Sequence, residues 1–283
     1  MIKYSEKQRE LLRLWQDGKL RRINILEGSV RSGKTWVTLV LWAFWVATMP
    51  EDAAYLMVAK TLTSLRRNCL DLLEKLVGRR NFTYSLSKKE ARHFGRLVYL
   101  EGVNDARAES KILGMTLQGA LCDELTLFTE DFFAMLLSRL SLPEAKLFGS
   151  TNPDNPSHWL MEKYIKRQDE LDMLVVKFLI DDNPALDPEY VKQLKREYTG
   201  VFYDRFIRGL WVVAEGLINT MFSKEFNVVP AVPRTSDKYY ISCDYGSVHP
   251  PRMGIWGRAS GKWYRMREYY FESRMERLQR TDE

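Results

Sequence analysis

Along the first 180 residues, short apolar runs alternate with helix-length stretches. Residues 22–26 (RINIL) read as a strand that passes through a glycine-containing turn into a helix from about 33 to 47. Residues 54–59 (AYLMVA) read as a second strand, followed by a helical stretch over 62–77. Residues 82–85 and 96–100 flank the polar His93-Phe94-Gly95 and predict a β excursion. Residues 117–122 (LQGALC) form a fully apolar strand candidate that ends on Asp123-Glu124. Helix is expected at 130–140, strand at 146–149, helix at 158–167 and strand at 173–178. Strand–helix alternation of this kind predicts an α/β fold, a mostly parallel sheet with helices on both faces.

The pattern changes near Asp181. Asp181-Asp182-Asn183-Pro184 and Leu186-Asp187-Pro188 are turn and N-cap signals that open helices at 188–198 and 202–209. Residues 216–233 read as an irregular linker with Pro230 and Pro233. Three consecutive β-like runs follow, at 239–244, 253–257 and 263–270, and predict a β-meander. The expected organisation is a core over 1–180, a helical lid and linker over 181–235, and the start of a second domain over 236–283. That last stretch, about 48 residues, is below what supports an independent core, and it ends in charge as a domain with more to follow would.

Composition narrows the class. The 283 residues exceed the usual span of one domain, and 45% apolar with 28% charged residues fits a globular protein and excludes disorder. A formal charge of +6 is compatible with a polyanionic partner. Cys69, Cys122 and Cys243 are isolated, which points to a reducing compartment and away from a zinc site. The charged first 14 residues do not resemble a secretory signal. The most apolar run, 37–49, is about 13 residues against the roughly 20 of a membrane span, so it reads as a buried helix and no membrane role is expected.

Gly28-Ser29-Val30-Arg31-Ser32-Gly33-Lys34-Thr35 matches G-x-x-x-x-G-K-[ST] between an expected strand and an expected helix. Gly28 and Gly33 let the backbone curl so that N–H groups face phosphate oxygens, and the following helix adds its positive dipole end. Lys34 reaches the β and γ phosphates of ATP, and the Thr35 hydroxyl is a ligand for Mg2+. Arg31 reads either as a solvated turn residue or as an arginine sharing γ-phosphate charge from within its own chain. Asp123, at the end of another apolar strand, fits the carboxylate that positions Mg2+. Glu124 beside it would orient the attacking water by accepting its proton. Ser150-Thr151-Asn152-Pro153 ends a third apolar strand, where α/β sheets bind ligands. Thr151 and Asn152 there are either γ-phosphate sensors or parts of a bare turn.

These residues resemble the large terminase subunit of tailed bacteriophages, in the group with a PBSX-like layout. The resemblance runs over nearly the whole chain. Its carriers are Tyr4-Ser5-Glu6-Lys7-Gln8, GSVRSGKT at 28–35, LCDE at 121–124 and STNP at 150–153, then DNPALDPEYVKQLKREYTGVFYDRFIRGLWVVAEGLI at 182–218 and Ser242-Cys243-Asp244-Tyr245-Gly246. The phosphate loop alone is unspecific; the order and spacing of all six are specific.

The resemblance implies a P-loop NTPase of RecA/ASCE-like type, an ATPase that drives viral double-stranded DNA into a procapsid. It implies a homo-oligomeric ring docked on a portal protein, a small terminase subunit as partner, and the host cytoplasm as location. Gln8, otherwise one polar helix residue, would contact adenine, and Thr151 and Asn152 would couple hydrolysis to DNA movement. A neighbouring subunit would supply a second arginine, for which Arg107 and Arg139 are both candidates. A C-terminal nuclease of RNase H-like fold is implied too, with carboxylates holding two metal ions. Asp244 matches its first ligand, but the other carboxylates have no counterpart here, and Glu268 reads as a solvated hairpin acid. One carboxylate does not hold a metal pair, so the expectation is a partial RNase H-like meander without a competent nuclease.

Basic residues are dispersed, from Arg66-Arg67 through Lys192, Lys195 and Arg196 to Arg274, Arg277 and Arg280, which suits phosphate contacts without base reading. Trp36, Trp42 and Trp45 lie on the phosphate-loop helix and are expected in the core. Three rival readings remain. A helicase or other translocase would need a second motor lobe that 216–283 does not offer. The others are a non-motor ATP-binding remnant, and a small-molecule kinase, which the adjacent Asp-Glu disfavours.

Overall fold

Apolar side chains alternate along the central strands and so build two cores, one on each face of a single sheet. In β1 (Ile23–Gly28), Ile23 and Ile25 join one core and Leu26 the other. In β2 (Ala54–Ala59), Leu56 and Val58 share the core of Ile23, while Tyr55, Met57 and Ala59 share that of Leu26. The structure, a computed structural model, describes residues 4–104, 108–213, 227–231, 236, 238–244 and 252–270. The chain divides into two compact units, Met1–Gly216 and Leu217–Glu283.

The further strands of the first unit are β3 (Phe82–Ser85), β4 (Glu90–His93), β5 (Arg96–Gly102), β6 (Leu117–Cys122), β7 (Lys146–Thr151) and β8 (Met173–Phe178). Among the described residues they form one eight-stranded sheet in the order β3-β4-β5-β2-β6-β7-β1-β8. All pairings from β5 to β8 are parallel; β3, β4 and β5 pair antiparallel. One face carries α1 (Glu6–Gln16), α2 (Lys34–Thr48), and α3 (Leu62–Leu65), which runs through a π-helical turn, Arg66–Leu70, into α4 (Asp71–Val77). The other carries α5 (Ala108–Ile112), α6 (Glu130–Arg139) and α7 (Trp159–Lys163). After β8 come α8 (Pro188–Glu197) and α9 (Gly200–Phe206).

The phosphate-loop helix is apolar nearly all round and deeply buried, as its 37–49 run predicts. Trp42 and Trp45 are core residues, 0% and 3% exposed. Gly119 of β6 makes room for them, since a Cβ there would lie 2.4 Å from the Trp45 ring.

Three expectations change. The polar stretch around His93 is the end of β4, a strand hidden from view because Ala91 and His93 supply its buried side. Strand 146–149 extends through Thr151, paired with β1 to its end. Helix 158–167 breaks at Tyr164, which leaves helical backbone (φ −125°) before a 3-10 turn, Ile165–Arg167.

In the second unit, β9 (Lys238–Asp244), β10 (Arg252–Ala259) and β11 (Lys262–Tyr270) form an antiparallel meander. Ser260 and Gly261, both at positive φ, make its tight β10–β11 turn. Tyr245, Gly246, Pro233 and most of the 216–233 linker lie outside the described residues.

His93 is fully buried between the rings of Phe82 and Phe94, with no hydrogen-bond partner on either ring nitrogen. Burial, with the nearby Arg96 charge, pushes its pKa down from 6.5 to about 3. An unfolded chain takes up this proton near pH 6.5 and the folded protein refuses it until about pH 3, so stability falls as pH drops through that window. His93→Phe is expected to flatten the acid limb of the urea midpoint between those values; an unchanged slope would contradict this account.

Candidate active site

The phosphate loop joins β1 to α2 and is shaped by two close approaches. A Cβ on Gly28 (φ 129°) would lie 1.9 Å from the Phe178 carbonyl oxygen, because the Ser29 N–H donates to that oxygen at 2.9 Å. Gly33 (φ 86°) precedes the first turn of α2, and a Cβ there would meet Gln8 Nε2 at 2.9 Å. Gln8 is buried, and its Oε1 accepts from the Ser5 N–H at 3.0 Å in the capping box of α1. Lys7 fixes the same helix by donating to Asp182 Oδ2 at 2.6 Å. Arg31 is exposed, with φ 57°, and its carbonyl accepts from Asn183 Nδ2 at 2.7 Å.

The strand order decides what meets the loop. β7 stands between β1 and β6, so its C-terminal end touches both neighbours. Toward β6, Ser150 Oγ donates to Asp123 Oδ1 at 2.8 Å, while Asn68 Nδ2, from the π-helical turn, donates to Oδ2 at 2.9 Å. Toward β1, Asn152 Oδ1 accepts from Lys34 Nζ at 3.0 Å. The same ammonium donates to the Ser29 and Gly28 carbonyls at 2.6 and 3.2 Å. Thr151 Oγ1 accepts from the Thr126 N–H at 3.1 Å, tying the loop after β7 to the turn after Glu124.

Burial tunes the charges. It lowers the Lys34 pKa to about 8, against the opposing pull of Asp123, Glu27 and Glu124. It raises the Glu124 carboxyl above its ordinary value, helped by the charge of Asp123 and opposed by Arg67 and Lys34. Glu124 sits at φ 58°, a left-handed conformation uncommon outside glycine that is over-represented at functional sites. Together Arg31, Lys34, Thr35, Asp123, Glu124, Asn152, the α8 residues Tyr190 and Leu194, and Tyr198 at the end of that helix line a cleft of about 310 Å³.

Residues 25–223 match the family model described as terminase large subunit, T4likevirus-type, N-terminal. The chain belongs to the terminase large subunit family. The chain is 36% identical to the large terminase of the thermophilic bacteriophage D6E, with a TM-score of 0.70 over 99% of this chain and 71% of that one. The D6E enzyme in complex with ATP-γ-S matches at 35% identity and a TM-score of 0.68, with the same coverage. The large terminase ATPase domain of Thermus phage P74-26, 14% identical, shares the fold at a TM-score of 0.53 over 75% of this chain and all of that one. No curated protein matches the chain. The chain is a P-loop ATPase and a motor subunit of phage DNA packaging.

The cleft of the large terminase gathers Arg31, Lys34, Thr35, Asp123, Glu124, Thr151 and Asn152, with Gln8 against Gly33 on the neighbouring helix. Arg139 stands apart at the end of α6, where its Nε donates to Ser138 Oγ. Arg107 and the side chain of Asp244 lie outside the described residues. Glu268 pairs with Arg265 at 3.0 Å on the exposed β11. Asn68 and Asn183 carry no sequence signal for their positions at the site. Glu27 has one, as a carboxylate that directly follows the apolar Ile25-Leu26 of a short strand. Among the described residues no helix is long and apolar enough to cross a membrane.

Asn68→Ala removes a donor from a buried carboxylate. It is expected to cost about 1–3 kcal/mol in urea unfolding, whereas exposed Arg67→Ala costs less than about 0.5 kcal/mol. Equal costs would show that the Asn68–Asp123 bond contributes nothing.

Proposed function

We propose that this large terminase hydrolyses ATP in the cleft between the phosphate loop and Asp123-Glu124, and that the energy moves viral double-stranded DNA into a procapsid. The observation that carries the reading is the bridge across β7: the hydrogen bonds of Ser150 to Asp123 and of Lys34 to Asn152 unite the loop, the acidic pair and the Thr151-Asn152 segment. The loop N–H groups beyond Val30 and the Lys34 ammonium bind the phosphates, with Gln8 toward adenine. Thr35 and Asp123 would hold Mg2+. A hydroxyl and a buried carboxylate in one cleft are the hard oxygen donors that ion takes. Bound there, Mg2+ would neutralise charge on the β and γ oxygens.

Glu124 accepts a proton from water as the water oxygen attacks the γ-phosphorus and the bond to the β-phosphate oxygen breaks. Its raised pKa makes it a better base than an ordinary carboxylate. Lys34 and Arg31 share the charge that develops on the γ-phosphoryl oxygens. Departure of phosphate alters the Lys34–Asn152 contact, and Thr151 passes the change on through Thr126. A neighbouring subunit in a ring adds Arg107 or Arg139.

In this reading the chain has a PBSX-like layout, and membership of the family favours a portal protein and a small terminase subunit as partners, in the host cytoplasm. The 238–270 meander with Asp244 at its first strand end fits the opening of an RNase H-like nuclease. One carboxylate of the metal pair is too few for DNA cleavage by these residues alone. The organisation 1–180, 181–235 and 236–283 is part of the same reading.

Lys34→Ala is expected to lose ATP binding and hydrolysis. Glu124→Gln retains binding, measured with a fluorescent ATP analogue, while kcat falls about 100-fold or more, the worth of a general base. Normal turnover by either variant refutes the assignment.

A further inference from the structure

The segment that closes the first unit is fastened to both loops that face the cleft. The Phe206 carbonyl accepts the Val30 N–H at 2.9 Å. Gly209, at φ 59°, lies so close that a Cβ would stand 3.1 Å from both Gly28 Cα and Ser29 N. Trp211 Nε1 donates to the Glu27 carboxylate, one residue before Gly28. On the other side, Arg205 Nη1 meets Asp154 Oδ1 at 2.9 Å, two residues beyond Asn152. The same guanidinium donates through Nη2 to the Val212 carbonyl at 2.7 Å.

Glu27 makes this arrangement more than tight packing. It sits in a strand whose six residues are all buried, between Thr151 of β7 and Lys177 of β8. A carboxylate in such a place costs stability unless partnered; its charge supports that of Lys34, but it takes no part in the proposed proton transfer or Mg2+ binding. Burial raises its pKa, and the Trp211 indole works against that rise. A leucine would suit the strand better if packing were its only task.

We propose that Glu27, Asp154 and Arg205 are positioning residues that hold residues 205–212 as a strap against the phosphate loop, so that the loop's phosphate-binding shape and the position of the strap are set together. The proposal rests on the ATPase reading above and extends it. Coupling of this kind is reciprocal: nucleotide binding steadies the strap, and displacement of the strap weakens binding.

The test uses the full chain, with thermal melting to confirm folding. Hydrogen exchange of a peptide covering 205–212 is measured with and without ATP-γ-S, and KM and kcat are measured for Glu27→Leu, Glu27→Gln, Trp211→Phe, Arg205→Asp and the Asp154→Arg/Arg205→Asp double variant. ATP-γ-S is expected to slow exchange in the wild type. Glu27→Leu and Arg205→Asp each raise KM about tenfold, the loss of one charge-assisted hydrogen bond, with a smaller change in kcat. Glu27→Gln, which keeps an acceptor for the indole, stays near the wild type, and the double variant recovers part of the Arg205→Asp loss. Trp211→Phe, which keeps an aromatic side chain but removes the indole N–H with part of the ring, raises KM even if the harsher variants fail to fold. Folded variants with unchanged KM, a double variant no better than Arg205→Asp, or exchange at 205–212 indifferent to ATP-γ-S would each overturn the strap. Should Lys34→Ala bind ATP-γ-S as the wild type does, the nucleotide site itself is wrong, a failure distinct from that of the strap.

Discussion

The position of β7 between the phosphate-loop strand and the strand that ends at Asp123 is the constraint on which the site depends. Adjacent strands lie about 4.8 Å apart, so two strands separated by a third cannot join their short side chains directly. The strand between them must supply the link. Ser150 reaches one way to Asp123 and Asn152 the other way to Lys34. The strand order itself is held by the two cores, since moving β7 would strip Leu147 from one face and Phe148 from the other.

Electrostatics then gives this edge its tension. Lys34, Asp123 and Glu27 are each 7% exposed or less, within one small region. Desolvation works against the charges of Lys34 and Glu27, and mutual compensation is visible in Lys34, where burial lowers the pKa and three carboxylates raise it. Ser150 and Asn68 donate to the two oxygens of Asp123 and Trp211 to the Glu27 carboxylate, while the lysine bonds to loop carbonyls and the Asn152 amide oxygen. Such a site is sensitive to the loss of any single partner, because the group left behind stays buried.

The parts of this arrangement that are written locally were legible in the sequence. The 28–35 loop between strand and helix, the apolar 117–122 run and the alternation that makes a parallel sheet all depend on neighbours in the chain. Family resemblance added Gln8, whose burial beside Gly33 no local pattern announces. What stayed hidden depends on partners far away in sequence. Asn68 is one polar residue on a helix until a π-helical turn aims it at Asp123, 55 positions later. Strand β4 was hidden for a different reason: its buried positions are Ala91 and His93, neither a strong strand former. Asn183 looked like turn chemistry, and its bond to the Arg31 carbonyl spans 152 positions.

The helix over the cleft follows a logic unlike that of the core helices. Its helicity is set locally: Asp187 caps it by accepting from the Glu189 N–H at 2.8 Å, and Pro188 opens its first turn. None of its residues is fully buried, so little core energy holds it in place. Its apolar side chains Tyr190, Leu194 and Tyr198 line the cleft instead, and whatever fills that cleft completes their burial. A Lys195–Asp181 ion pair and the Tyr198–Phe206 ring contact, 5.7 Å between centroids, are its anchors. The second anchor leads to the residue whose carbonyl takes the Val30 N–H. The helix and the phosphate loop therefore share a partner in Phe206, and neither can shift far without disturbing it.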